Sequence, residues 1–268
     1  MITLKYRYLV FIIALAGFLN TSCEDVIEID LKKSAPAIVI EANVTNNTNI
    51  QGVKISRTQN ISEPNQFVAV TDAEVTITDN GGKETVLYQL PKVPGYYATS
   101  NLRGKPRQTY HLQVALAGEI YTSSSTMPAE VKLDSVGIIS NTFFNKEIKS
   151  IAAVYKDPLG IANNYRFVLY INNERTKSIF AFDDQFNDGK EVTVELRDND
   201  LELKTNDVVK VEMQSIDQNV FKYFDGLSQN ESRGGASTTP ANPVSNISNG
   251  ALGYFSAHTA QAGVIKIK

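Results

Sequence analysis

The sequence predicts an all-β protein: a β-sandwich over residues 36–127, followed by a second β-rich, sandwich-like module over residues 131–268 that carries one short helix. Three observations predict it. From residue 37 onward apolar side chains recur with a period of two. Clusters of Gly, Asn, Asp and Pro break these runs at short intervals. Apolar spacing of the helical kind occurs in one stretch only. With 268 residues, 42% of them apolar, the chain can bury a substantial core, and disorder throughout is excluded.

In the first module Ile38, Ile40, Ala42 and Val44 fall on one strand face, with Val39, Glu41 and Asn43 on the other. Val53 and Ile55 alternate with Lys54 and Ser56, and Ala73, Val75 and Ile77 alternate with Glu74, Thr76 and Thr78. Tyr110, Leu112, Val114 and Leu116 alternate with His111, Gln113 and Ala115, so each run reads as a strand with one wet face. Asp79-Asn80-Gly81-Gly82 supplies residues that tolerate positive φ and joins the strand ending at Thr78 to one over residues 85–90. Breaks at residues 91–95 and 103–106 keep the strands short, and Met127-Pro128-Ala129-Glu130 makes the junction between modules.

The second module opens with strands near residues 135–139 and 151–155 and breaks at Asp157-Pro158-Leu159-Gly160. It resumes with Tyr165, Phe167, Leu169 and Ile171 on one face. Asn187-Asp188-Gly189 reads as a turn into a strand over 192–196, and Val209, Val211 and Met213 alternate with Lys210 and Glu212. Val220, Phe221, Phe224 and Leu227 have helical spacing, with Asp217 placed to cap the start, so the helix is expected near 217–230. Residues 228–250 are rich in Ser, Asn, Gly, Thr and Pro and read as a long surface loop, after which residues 251–257 and 264–267 are expected as two strands.

The N-terminus reads as a signal peptide over residues 1–22: Lys5 and Arg7, an apolar run over 8–19, then Asn20-Thr21-Ser22 before Cys23. The 12-residue run would cover roughly 18 Å as a helix, short of the roughly 30 Å hydrocarbon core, so a permanent membrane helix is the poorer reading. Cys23 is the one cysteine, so no intramolecular disulfide exists to explain it. Leu19-Asn20-Thr21-Ser22-Cys23 resembles a lipobox, although Asn20 stands where a large aliphatic residue is usual. Lipidation of Cys23 would give a membrane anchor; ordinary cleavage leaving a free thiol is the alternative. Residues 23–35 then form an acidic tether. Glu24 and Asp25, with Glu28 and Asp30, are similar to a surface-export signal of Bacteroidota lipoproteins, or are simply a solvated spacer.

Without Lys5 and Arg7 the chain carries 24 bases against 29 acids, a charge near −5, and no basic stripe exists to neutralise nucleic-acid phosphates. An enzyme is not expected: there are two histidines, His111 and His258, and no nucleophile elbow, paired-His zinc spacing or phosphate-binding glycine loop. No cofactor or metal is expected either. Asp184, Gly189 and Glu195 fall at the first, sixth and twelfth places of a calcium loop, but Phe186 occupies the third, which must offer oxygen, so a hairpin turn is favoured. The 12 Tyr and 12 Phe are mostly core, and the absence of Trp weakens a sugar-stacking reading. Tyr96 and Tyr97, beside Gly95, cannot both point inward.

The string Asp79-Asn80-Gly81-Gly82, Gly95-Tyr96-Tyr97, Gly104 and Tyr110-His111-Leu112-Gln113-Val114 looks like the immunoglobulin-like or prealbumin-like sandwiches of bacterial surface proteins. The C-terminal string from Asn242-Pro243-Val244 through Asn246 and Gly250 to Ala257, preceded by Val211-Glu212-Met213-Gln214-Ser215-Ile216-Asp217, resembles the Bacteroidota lipoprotein family known as domain of unknown function 4249. The resemblance covers nearly all of the chain after Cys23. It implies no catalytic residues. It does imply a setting: an outer-membrane lipoprotein, on the surface or the periplasmic face, associated with a TonB-dependent receptor as a binding or accessory component. A structural or adhesive surface module is one alternative, and an uncharacterised hydrolase another. The loop over 228–250, with Pro240, Asn242, Pro243 and Asn246, is the expected partner-facing surface, or else a lid without a partner.

Overall fold

A computed structural model describes residues 36–47, 50–59, 67–143, 146–198, 201–232 and 242–268. Among them are sixteen strands and one helix, in an all-β arrangement of sheets packed face to face. The first module comprises β1 (Ile38–Thr45), β2 (Gln51–Arg57), β3 (Val68–Ala69), β4 (Glu74–Asp79), β5 (Glu84–Gln89), β6 (Tyr96–Thr99), β7 (Thr109–Leu116) and β8 (Glu119–Thr126). The second holds β9 (Leu133–Phe143), β10 (Lys146–Lys156), β11 (Asn164–Ile171), β12 (Glu174–Arg175), β13 (Phe180–Asp183), β14 (Glu191–Leu196), β15 (Val208–Ile216), α1 (Gln218–Ser232) and β16 (Leu252–Lys266).

The alternation read in β1 is realised: Ile38, Ile40, Ala42 and Val44 are buried while the residues between them are half-buried. Asp79 closes the β4–β5 hairpin, its Oδ1 accepting the Gly81 and Lys83 N–H groups at 2.9 and 3.0 Å. β5 turns the sheet over on itself. Its first residues pair with β4, whereas Tyr88 and Gln89 pair with β6, so one strand serves two layers. Between the layers lies a core that includes Ile40, Val53, Ile55, Val75, Ile77 and Val114. Tyr97 enters this core and satisfies its hydroxyl there, donating to Val70 O at 3.1 Å and accepting from Ala73 N at 3.0 Å. Tyr96 stays half-buried.

β8 carries little apolar alternation because its inward residues are Ser123 and Ser125, 9% and 2% exposed. Sequence reading singles out no strand there. Ala117 and Gly118, both at positive φ, make the tight turn that sends it back along β7.

In the second module the three-stranded sheet β14-β10-β9 faces the strands β12-β11-β15-β16 across a core that includes Tyr155, Tyr165, Phe167, Val194, Val211 and Met213. α1 covers the opposite face of β11 and β16. Val220 and Phe224 are buried there against Ile216 and Tyr254. Asp217 caps the helix as expected, Oδ1 accepting from Asn219 N and Val220 N at 2.9 and 3.0 Å, and α1 runs two residues past the expected end.

Two expectations need correction. The strands expected over 251–257 and 264–267 are not separate but fall within one 15-residue strand, β16 (Leu252–Lys266). The stretch between them lacks apolar alternation because His258 and Thr259, both 2% exposed, are polar residues in buried positions. Nor does the C-terminal stretch stay with the second module. The first half of β16 runs parallel to β1, pairing Val39 with Leu252 through Thr45 with His258, and its second half runs antiparallel to β15. Ile247, Ala251, Phe255 and Ala257 accordingly join the first core.

Candidate functional site

Of the residues singled out from sequence, Cys23, Glu24, Asp25 and Pro240 lie outside the described residues. The other three lie where the chain returns from α1 toward β16. Asn242 is exposed, and Pro243 is half-buried, close enough to α1 that a Cβ on Gly226 would sit 3.6 Å from its ring. Asn246 does not offer its amide to a partner. Its Nδ2 donates to Phe255 O at 2.8 Å and its Oδ1 accepts from Phe255 N at 2.9 Å, an amide acting as an extra strand residue beside β16.

Residues 245–250 are then fastened to β8. Ser248 N donates to Thr122 O at 2.8 Å, Thr122 N donates to Ser248 Oγ at 2.7 Å, and Ser123 Oγ donates to Asn246 O at 2.7 Å. Asn249 Nδ2 reaches Glu119 Oε2 at 2.9 Å, and Ile247 plugs into the first core. The polar composition of β8 thus has a purpose: the Thr122 and Ser123 hydroxyls meet a strap rather than an apolar layer. Beside the strap, the outward residues of β4 and β7, among them Thr76, Thr78, His111 and Gln113, floor a broad polar cleft of about 580 Å³.

A second concavity, of about 250 Å³, opens on the face that carries α1, at the seam of β11, β15, β16 and β1. Its base is Arg166, 6% exposed, whose guanidinium lies 3.8 Å over the Phe224 ring and donates from Nη1 to Gln214 Oε1 at 3.2 Å. Burial lowers the pKa of this guanidinium. His258, also lining the pocket, is held neutral: burial, then the Arg166 charge, bring its pKa down to about 3. Its Nδ1 shares a 2.9 Å hydrogen bond with Ser256 Oγ.

The acidic turn after β13 meets a partner that sequence reading missed. Asp157, buried at the end of β10, lies with Asp184 and Asp188 so that one oxygen from each falls within 4.8 Å of the others. Each carboxylate holds backbone in place. Asp184 accepts from Asn163 N at 2.8 Å, Asp188 from Gly160 N at 2.6 Å, and Asp157 from Gly189 N at 3.2 Å and the Tyr165 hydroxyl at 2.5 Å. Glu195, the twelfth place of the calcium-loop spacing, instead accepts from Ser150 Oγ at 2.6 Å. The arrangement tethers the connections after β10 and β13.

The family model for Domain of unknown function (DUF4249) matches residues 24–262. No curated protein matches the chain. Among solved structures the chain is similar to the chicken CNTN1 FN1–FN3 domains, at 10% sequence identity and a TM-score of 0.23, with 68% of this chain covered. The chain spans 62% of that chain's length, and a likeness so slight carries no argument about what either protein binds. The matched residues take in the first core, nearly all of the second, the strap and all but the last few residues of β16, and on that extent the chain belongs to the DUF4249 family.

Proposed function

We propose that this chain is a lipid-anchored outer-membrane protein that binds rather than catalyses, serving as an accessory to a TonB-dependent receptor. The observation that carries the reading is the strap over residues 245–250, stitched to β8 by Ser248, the Asn246 carbonyl and Asn249 beside the polar cleft. A loop fixed in advance loses little conformational freedom on docking, which favours a standing partner surface. The anchor rests on Cys23 behind its apolar leader. Two acyl chains at about 0.8 kcal/mol per buried methylene would hold the sheets at a bilayer.

The test uses the full chain, tagged at its C-terminus and extracted from outer membranes in mild detergent. A large β-barrel receptor should co-purify with it, and Gln113→Arg, which adds charge and bulk to the exposed cleft floor, should reduce its recovery. Absence of any barrel overturns the association; undiminished recovery with Gln113→Arg overturns the cleft as its surface. Labelled palmitate should enter the wild-type chain and not Cys23→Ala, and a Cys23→Ala chain still held on membranes would overturn the anchor.

A further inference from the structure

β11 has both faces covered. Tyr165, Phe167 and Leu169 enter the second core, and the alternate residues Arg166 and Val168 are buried on the side that carries α1. A guanidinium in such a position normally meets a carboxylate, because an isolated buried charge is strongly disfavoured. Among the described residues, Arg166 forms no ion pair and makes one hydrogen bond, to Gln214, whose own Nε2 donates onward to Glu212 Oε1 at 2.6 Å. Gln214 therefore stands between the cation and the nearest acid on β15. The other N–H groups of the fork make no hydrogen bond among the described residues and belong to a residue that lines the pocket.

The rest of the lining defines what would complete the site. Arg175, on the short β12, adds a second positive charge and Glu212 a negative one, while His258 is neutral, so the pocket carries a net charge of +1. Asn43, Gln214, Tyr170 and Tyr254 present amides and phenols able both to donate and to accept. A cation with a planar fork matches a carboxylate. The net +1, with Glu212 in the wall, matches one negative charge and disfavours a dianion such as phosphate. The amides and phenols match hydroxyl groups.

We propose that this pocket binds a small hydroxylated monocarboxylic acid of the sugar-acid kind, its carboxylate taken by Arg166 with Arg175 and its hydroxyls by Asn43, Gln214 and the two tyrosines. The site lies apart from the strap and its cleft, and it stands whether or not a receptor docks there.

Calorimetric titration of the full chain tests it with four probes: glucuronate, glucose, acetate and inorganic phosphate. Glucuronate should bind, and glucose, which lacks the carboxylate, and acetate, which lacks the hydroxyls, should each bind at least about tenfold more weakly, the value of losing one good charged or polar contact set. Arg166→Met keeps volume and removes the fork, so glucuronate binding should disappear while the melting temperature holds or rises, as a buried unpaired charge is replaced by an apolar side chain. Arg175→Glu, at an exposed position, should abolish binding without touching either core, and guards against misfolding of the first variant. Absence of glucuronate binding to the wild-type chain, equal affinity for acetate and glucuronate, tighter binding of phosphate, or undiminished binding by Arg175→Glu would each overturn the proposal.

Discussion

Ser125 and Asp217 join the end of the first sandwich to the start of α1: the Ser125 hydroxyl donates to Asp217 Oδ2 and accepts from Ala257 N at 2.8 Å. Asp217 uses its other oxygen to cap the helix. β8, β16 and α1 thus meet at two side chains. Asp217→Ala removes the cap and leaves the buried Ser125 hydroxyl without its acceptor, and the loss should be about 2 kcal/mol. Asp217→Asn keeps a capping oxygen and should lose less. Urea unfolding of the two variants beside wild type checks the order.

A second junction is held by Tyr165 and Asp157, 0% and 1% exposed, with the phenol donating to the carboxylate at 2.5 Å. Burial and this carboxylate push the Tyr165 phenol well above its ordinary 10.0, and burial raises Tyr155 beside it in the same direction. Tyr223 is raised to about 12, again chiefly by burial. With folded-state values above unfolded ones, the protonated phenols stabilise the fold fully below pH 10. That stability falls as the pH rises further, by about 1.4 kcal/mol per pH unit for each tyrosine. Unfolding midpoints between pH 9 and 11 should therefore drop steeply above 10. Tyr165→Phe should be less stable at pH 8, having left Asp157 Oδ1 without its donor, yet show a shallower alkaline slope.

The strands were legible wherever one face was apolar and the other wet, as in β1, β4 and β7, because period two is then written directly in side-chain type. It failed where burial was polar or two-sided. β8 buries Ser123 against the strap and Ser125 against Asp217 and β16, and the middle of β16 buries His258 and Thr259, so neither shows the pattern. Arg166 was hidden for the same reason. Its parity sets it on the face opposite Phe167 and Leu169, and α1, packing over that face from a segment about fifty residues further on, lays Phe224 against the guanidinium. The one local hint is that Val168, which shares its face, is apolar. Asp157, too, could not be joined to Asp184 and Asp188 from spacing, since the register of β10 and the turn after β13 brings them together.

His258 gives the opposite pH signature to the tyrosines. Its ordinary pKa of 6.5 is brought down to about 3 by burial and then by Arg166. The neutral ring is favoured in the folded chain, so its stabilisation is whole above pH 6.5 and drains away as the pH falls toward 3. Between pH 7 and pH 5 it should remove about 2 kcal/mol. All other titrating groups are common to wild type and variant, so the difference between the two isolates residue 258. His258→Gln, uncharged throughout, should therefore lose about that much less than wild type between pH 7 and pH 5 in urea unfolding. Equal losses would remove His258 as the source.

Gly253 marks the point where β16 enters beside β1. Its φ is +100, and a Cβ there would lie 2.0 Å from Ile40 O and 2.8 Å from the carbonyl carbon. Neither atom belongs to a movable side chain. Gly253→Ala must shift the parallel pairing that ties the last strand to the first, and the destabilisation should be on the order of 3 kcal/mol, from backbone strain together with overpacking. Gly118, at φ +86 in the β7–β8 turn, has nothing among the described residues within 4 Å of the corresponding Cβ. Gly118→Ala carries the conformational strain alone and should lose only about 1 kcal/mol. Thermal melts of the two variants side by side separate close approach from backbone preference: equal losses would mean that β16 yields at Gly253 without disturbing β1.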